Sequence, residues 1–171
     1  MGQVGEVDDE VRRLRDEVAD LRREVRELRD IEEIKQLKAR YFQLVDAQRW
    51  DAWADEVLAE QVVTHHDSDE LEGREVVVAA VSRALEGGQT VHHGNCPQIT
   101  ITGPDTAVGT WAMDDLVDLH GPDGPIVLHG FGHYVEEYVR TRDGWRIARS
   151  VLTRQRVDWV TGGPGAGDGP A

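Results

Sequence analysis

A single cysteine, Cys96, stands in a chain of 171 residues, so no disulfide can close within it. Basic residues are the next shortage. Lys and Arg number 19 against 33 Asp and Glu, for a formal charge of -14 and a sequence pI near 4.8. That balance argues against nucleic acid or an anionic membrane as a partner, since both are bound through clustered Lys and Arg. No apolar run is long enough to span a bilayer, and the opening MGQVGEVDDE lacks both the basic and the apolar regions of a signal peptide. The expected location is the cytoplasm. Metal-ligand spacing is missing as well. Neither HExxH nor CxxC occurs, and the adjacent pairs His65, His66 and His92, His93 send their rings to opposite sides of a strand. No metal and no other cofactor is expected.

What is present divides into three parts: a charged helical arm over 1–30, a mixed domain over 31–160 and a tail over 161–171. The length suits one domain with an extension. The tail, rich in Gly and Pro, has no apolar surface to bury and is expected to be disordered.

The arm carries a heptad. Val4, Val11, Val18 and Val25 take position a, and Val7, Leu14, Leu21 and Leu28 take position d. Glu10, Glu17 and Glu24 fall at g, and Arg15, Arg22 and Arg29 fall at e, five residues further on in each case. A parallel pair sets each g glutamate against an e arginine of its neighbour, whereas an antiparallel pair sets like against like. A parallel homo-oligomer is expected. Branched residues at a with Leu at d favour a dimer, with a trimer open.

From Ile31 the apolar spacing continues through Ile34, Leu37, Tyr41, Leu44 and Val45, so the arm is expected to run unbroken into the first helix of the domain. Trp50, Trp53, Val57 and Leu58 predict a second short helix, VVTHH a strand, and REVVVAAVSRALEG a third helix. Four long strand-like stretches follow from PQITIT to WRIARSVLTRQRVDWV, separated by turn-formers. The expected class is α+β, with helices closing a cone-shaped, strongly curved antiparallel sheet around a small-molecule pocket.

Tyr41, Asp46 and the His92, His93 pair bring a phenol, a carboxylate and imidazoles to this apolar frame. A neutral imidazole with its tautomer fixed by a carboxylate is a general base, and a phenol can polarise a carbonyl. A carboxylate at Asp46, at a helix C-terminus, opposes the helix dipole, so capping explains it poorly and a pocket partner explains it better. His92 and His93 alternate across a strand; His92 is assigned to the interior. Trp111 and Met113 in GTWAMDD and His133 in GFGHY are expected to line the pocket.

The stretches IEEIKQLKARYFQLVDAQRWD, TVHHGNCP, GTWAMDD and GFGHYVEEYVRTRDGWRIARSVLTR resemble the SnoaL-like part of the nuclear transport factor 2-like superfamily, over about residues 31–160. Its dehydratase and dehydrochlorinase branches are the most similar. The resemblance implies a carboxylate at Asp46 that orients His92, a dehydratase tyrosine at Tyr41 and a further carboxylate at Asp115, with Asp114 as the alternative on the other face of the strand. It also implies a cofactor-independent lyase, a dehydratase acting on a small apolar oxygenated metabolite. A polyketide cyclase or isomerase on the same site, or a non-catalytic binding module, are the alternatives.

Overall fold

The computed structural model describes residues 2–66, 69–121 and 124–161. Apart from Thr161, the tail expected to be disordered lies outside the described residues.

Helix α1 runs without interruption over Gly2–Asp46, joining arm and domain as the apolar spacing predicts. Its two halves have different surroundings. The seam residues Val11, Leu14, Val18, Leu21, Val25 and Leu28 are 38% to 66% exposed, whereas Ile34, Leu37, Tyr41, Leu44 and Val45 are buried in the core. The change falls where Arg140 pairs with Asp30 at 2.5 Å while its guanidinium stacks on Trp145 at 4.4 Å. The arm projects from the domain and does not fold back along it.

The helix stops at Asp46, and Gln48 takes a left-handed backbone with φ 52°. Its side-chain amide donates to the carbonyls of Leu85 and Gly88, tying the end of α1 to the segment that leads into β3. Helix α2 (Trp50–Val57) follows, buries Trp53 and Val57, and passes directly into β1 (Leu58–His66). Then come β2 (Asp69–Glu72), α3 (Arg74–Ala84), β3 (Gln89–Gly103), β4 (Thr106–Gly121), β5 (Gly124–Thr141) and β6 (Gly144–Thr161).

The six strands form one sheet in the order β2-β1-β6-β5-β4-β3. From β3 to β6 it is the expected antiparallel meander. Two features differ from expectation. The short β2 has no apolar alternation to announce it, and β1 pairs with β6 in parallel. A pairing between segments so distant in sequence depends on where the meander leaves an open edge, which local pattern does not record. Irregular register at Asn95 to Gln98 in β3, where Cys96 has φ 47°, and at three places between β5 and β6 bends the sheet around the helices. Ile34, Val45, Trp53, Val57, Val62, Val77 and Ile147 fill the space between helices and sheet. The class is α+β, with three helices on a curled sheet, as the sequence predicts.

Candidate active site

Asp46 ends α1 beside the first residues of β3, and its carboxylate is held from that strand at three points. Oδ1 accepts the Thr90 hydroxyl at 2.9 Å and lies 2.6 Å from His92 Nδ1, while Oδ2 accepts the His92 backbone N–H at 3.0 Å. Gripping both the ring and the main chain of one histidine fixes the ring. Nδ1 is committed to the carboxylate, so Nε2 is the nitrogen able to take a proton. Phe42 lies parallel to the imidazole, with centroids 6.3 Å apart at 9°. The absence of a side chain at Gly94 admits it, because a Cβ there would stand 2.6 Å from Phe42 Cε2.

Burial alone would push the Asp46 carboxyl up. The hydrogen bonds from the His92 ring and backbone, the imidazolium charge and the Thr90 hydroxyl outweigh it and hold the group below its ordinary 3.8. A carboxyl lowered by folding stabilises the protein above its unfolded value, and that contribution disappears as pH falls through the lower folded value. The Asp46–His92 contact is therefore expected to survive acidification to 3.8 and to open only below it. The His92 ring signals followed by NMR across that range check this; opening well above 3.8 would contradict it.

His92 on β3, Asp115 on β4 and Gly130 on β5 are successive partners across the sheet. Directly opposed residues share a face, so His92 and the fully buried Asp115 both point inward. Asp115, and not Asp114, is the interior carboxylate. Asp114 faces outward, where its carboxyl is held low chiefly by the His93 hydrogen bond at 3.0 Å. Arg154 of β6 reaches across Gly130 to Asp115, with Nη2 on Oδ2 and Nε 3.4 Å from Oδ1. Asp115 is thus half of a two-point ion pair with Arg154.

Gly130 makes that pair possible. A Cβ there would collide with Asp115 Oδ1 and stand 2.7 Å from Arg154 Nε. Gly130→Ala is expected to part the pair and destabilise the domain by about 1–3 kcal/mol through overpacking. Thermal unfolding measures it; an unchanged midpoint would mean that the pair is not held as described.

Tyr41 is buried against Phe42, Trp53 and Tyr134, with ring centroids 5.4, 5.6 and 6.1 Å away. Burial and the charge of Glu136 push its phenol well above the ordinary 10.0, against a hydrogen bond with Tyr134. It is a neutral hydroxyl. Tyr41 senses the charges of Asp46 and Arg154, and Tyr134 those of Asp115 and Arg154, which places these groups in one electrostatic neighbourhood. Asp46 and Arg154 keep 25% and 20% of their side chains exposed while Asp115 keeps none, so solvent reaches the site from the first two.

Trp111 and Met113 are buried on the inner face in a cluster with Tyr134 and Leu152. The Trp111 indole N–H donates to the Tyr138 hydroxyl at 2.8 Å. His133 does not join them. The buried positions of β5 are Gly130, Gly132, Tyr134, Glu136 and Tyr138, so alternation turns His133 to the outer face and gives the interior place to Tyr134. Sequence reasoning also passed over Arg154, Thr90 and a buried ion pair between Lys38 and Glu136 at 2.7 Å, both fully buried. The available signal was a charged residue at a core position: Lys38 lies on the stripe between Ile34 and Tyr41, and Arg154 two residues beyond inward-facing Leu152.

Surface grooves lie elsewhere. One of about 530 Å³ runs between α1 and the β5–β6 turn, lined by Glu33, Gln36, Arg40, Glu56 and Arg146 among others, and its charged walls lack the dyad. Among the described residues no three His, Cys, Asp or Glu side chains converge as metal ligands, and no helix is long and apolar enough to cross a membrane.

Three solved structures share the architecture. An NTF2-like protein with a cystatin-like fold from Novosphingobium aromaticivorans is 24% identical over 80% of this chain and 89% of its own, with a TM-score of 0.61. A candidate scytalone dehydratase from the same organism is 14% identical over 77% of this chain and 87% of its own, with a TM-score of 0.69. A type 2 hexachlorocyclohexane dehydrochlorinase, LinA, is 17% identical over 81% and 95%, also with a TM-score of 0.69. At these identities the likeness establishes the fold. The sequence model of the SnoaL-like domain matches residues 26–151, most of the chain, and includes Tyr41, Asp46, His92 and Asp115 but not Arg154. The chain therefore belongs to the SnoaL-like domain family, on the NTF2-like fold.

Proposed function

We propose that the protein is a cofactor-independent lyase that removes water from a small, largely apolar carbonyl compound by His–Asp acid/base chemistry. The observation that carries this reading is the three-point grip of Asp46 on His92, which leaves one imidazole nitrogen as the proton acceptor on the inner face. Two structural neighbours named for eliminations, a dehydratase and a dehydrochlorinase, support it by analogy.

In this reading His92 Nε2 takes the proton α to a carbonyl of a β-hydroxy substrate, and Asp46 stabilises the imidazolium. Tyr41, neutral and hydrogen-bonded to Tyr134, donates toward the oxygen that becomes enolate-like, and the Arg154 guanidinium, held by Asp115, offsets its charge. The enolate collapses to a carbon–carbon double bond, the β-hydroxyl leaves, and the imidazolium proton goes with it as water. The dyad returns to its starting state.

Conjugation of the new double bond with the carbonyl makes the reaction visible by ultraviolet absorption across a panel of β-hydroxy ketones and thioesters. Exchange of the α proton with deuterated solvent reports the first step alone. Asp46→Asn is expected to keep the fold and lower both signals about 10²–10⁴-fold, because an amide can select the wrong tautomer and cannot stabilise the imidazolium. Full activity in Asp46→Asn would remove the dyad from the reaction. Exchange without water loss would favour the isomerase or cyclase reading of the same enolate. Chelators are expected to leave turnover unchanged; a requirement for stoichiometric zinc would sink the proposal.

A further inference from the structure

The exposed half of α1 lies outside the site and outside most of the span matched to the family. Its apolar residues form a single seam: Val11, Leu14, Val18, Leu21, Val25 and Leu28, each at least 38% exposed. Apolar side chains repeated at a and d through a projecting helix have nothing to bury against in their own chain.

The charges beside the seam separate into two groups. Those away from it are satisfied within the helix, with Arg12 3.9 Å from Asp9 and Arg23 2.5 Å from Asp20. Of those flanking it, Glu10 pairs with Arg13 at 2.6 Å. Glu17, Glu24, Arg15, Arg22 and Arg29 form no ion pair among the described residues. In a parallel pairing each g glutamate meets an e arginine five residues further along the neighbour, so the same five charges find partners.

The direction of the seam fits a second helix. At about 100° per residue, the stripe from Ile34 to Val45 that faces the domain core lies roughly half a turn around the helix from the seam of Val11 to Leu28. A helix laid on the seam therefore approaches from the side away from its host's own sheet.

We infer that residues 4–28 form a parallel, two-stranded coiled coil with a second copy of this chain. Val at every a and Leu at three of the four d positions selects two strands. The two domains project outward on opposite sides of the shared seam, leaving each dyad to its own chain.

Two experiments on the full chain test this. In the first, Arg15, Arg22 and Arg29 are changed to Glu in one chain, and Glu10, Glu17 and Glu24 to Arg in another. Each alone is expected to associate roughly a hundredfold more weakly than the original, as six attractive contacts per pair become repulsive, and the mixture is expected to form heterodimers in preference to either homodimer. Light scattering and native mass spectrometry read both. Unchanged association of the reversed chains, or a statistical mixture, overturns the coiled coil even if the domains assemble by another surface. The second experiment fixes orientation and number. Leu28→Cys in a Cys96→Ser background should give a chain cross-linked through residue 28 in near-complete yield on mild oxidation. An antiparallel pair would hold those positions about 36 Å apart and yield none. Failure to cross-link, or a trimer by mass, overturns the parallel two-stranded arrangement.

Discussion

Replacing His92 by alanine is expected to lower turnover by about 10²–10⁴-fold, the usual cost of losing a general base, while leaving affinity for a product-like ligand nearly intact. The geometry separates the two effects. His92 is tied to Asp46 and stacked on Phe42, so removing its ring takes away the proton acceptor without touching Tyr41, Tyr134 or the Asp115–Arg154 pair. Exogenous imidazole should recover part of the rate, since the vacated space lies between the Phe42 ring and the carboxylate; a collapsed fold would not respond to it. Steady-state kinetics, with binding measured by calorimetry, decide the outcome. Unchanged turnover would sink the acid/base reading, and binding without any detectable reaction in the original protein would favour a carrier.

The second large effect concerns the buried ion pair. Lys38 Nζ lies 2.7 Å from Glu136 Oε1 and 3.5 Å from the centroid of Tyr134. Glu136 also accepts from the Tyr138 hydroxyl at 2.5 Å and the Ser150 hydroxyl at 3.1 Å. Burial pulls the Lys38 ammonium below its ordinary 10.5, and the charge and hydrogen bond of Glu136 oppose that shift. Glu136→Leu leaves the lysine buried without its counter-charge and is expected to cost about 3–5 kcal/mol, a fall in unfolding midpoint of roughly 10–20 °C. Deprotonation of Lys38 sets the upper limit of that loss. The double variant Lys38→Met, Glu136→Leu should recover much of it, because neither charge of the pair then remains. Equal destabilisation in single and double variants would show that the loss comes from packing and not from charge.

Those two predictions draw on residues that were unequally visible in the sequence. Tyr41, Asp46 and His92 stood out because polar groups interrupted apolar periodicity, and an acid at a helix C-terminus needed a partner. Asp115 was named but not its partner. Arg154 lies 39 residues further on in another strand, and only the register that sets Gly130 between them brings the guanidinium to the carboxylate. His133 turns outward for a related reason: alternation along β5 shows its period but not which parity is inside.

Local pattern determined most of the architecture. The heptad, the continuation of α1, the short second helix and the meander each depend on residues within a few positions of one another, and period 3.6 or 2 in apolar side chains records them directly. The tertiary structure alone decided the parallel pairing of β1 with β6, the inward face of each long strand, the Arg154–Asp115 contact and the burial of Lys38 against Glu136. Each of these depends on how distant strands are registered and how far the sheet curls. One residue of slip exchanges the two faces of a strand, so the sequence supplied the groups and the fold chose which of them meet.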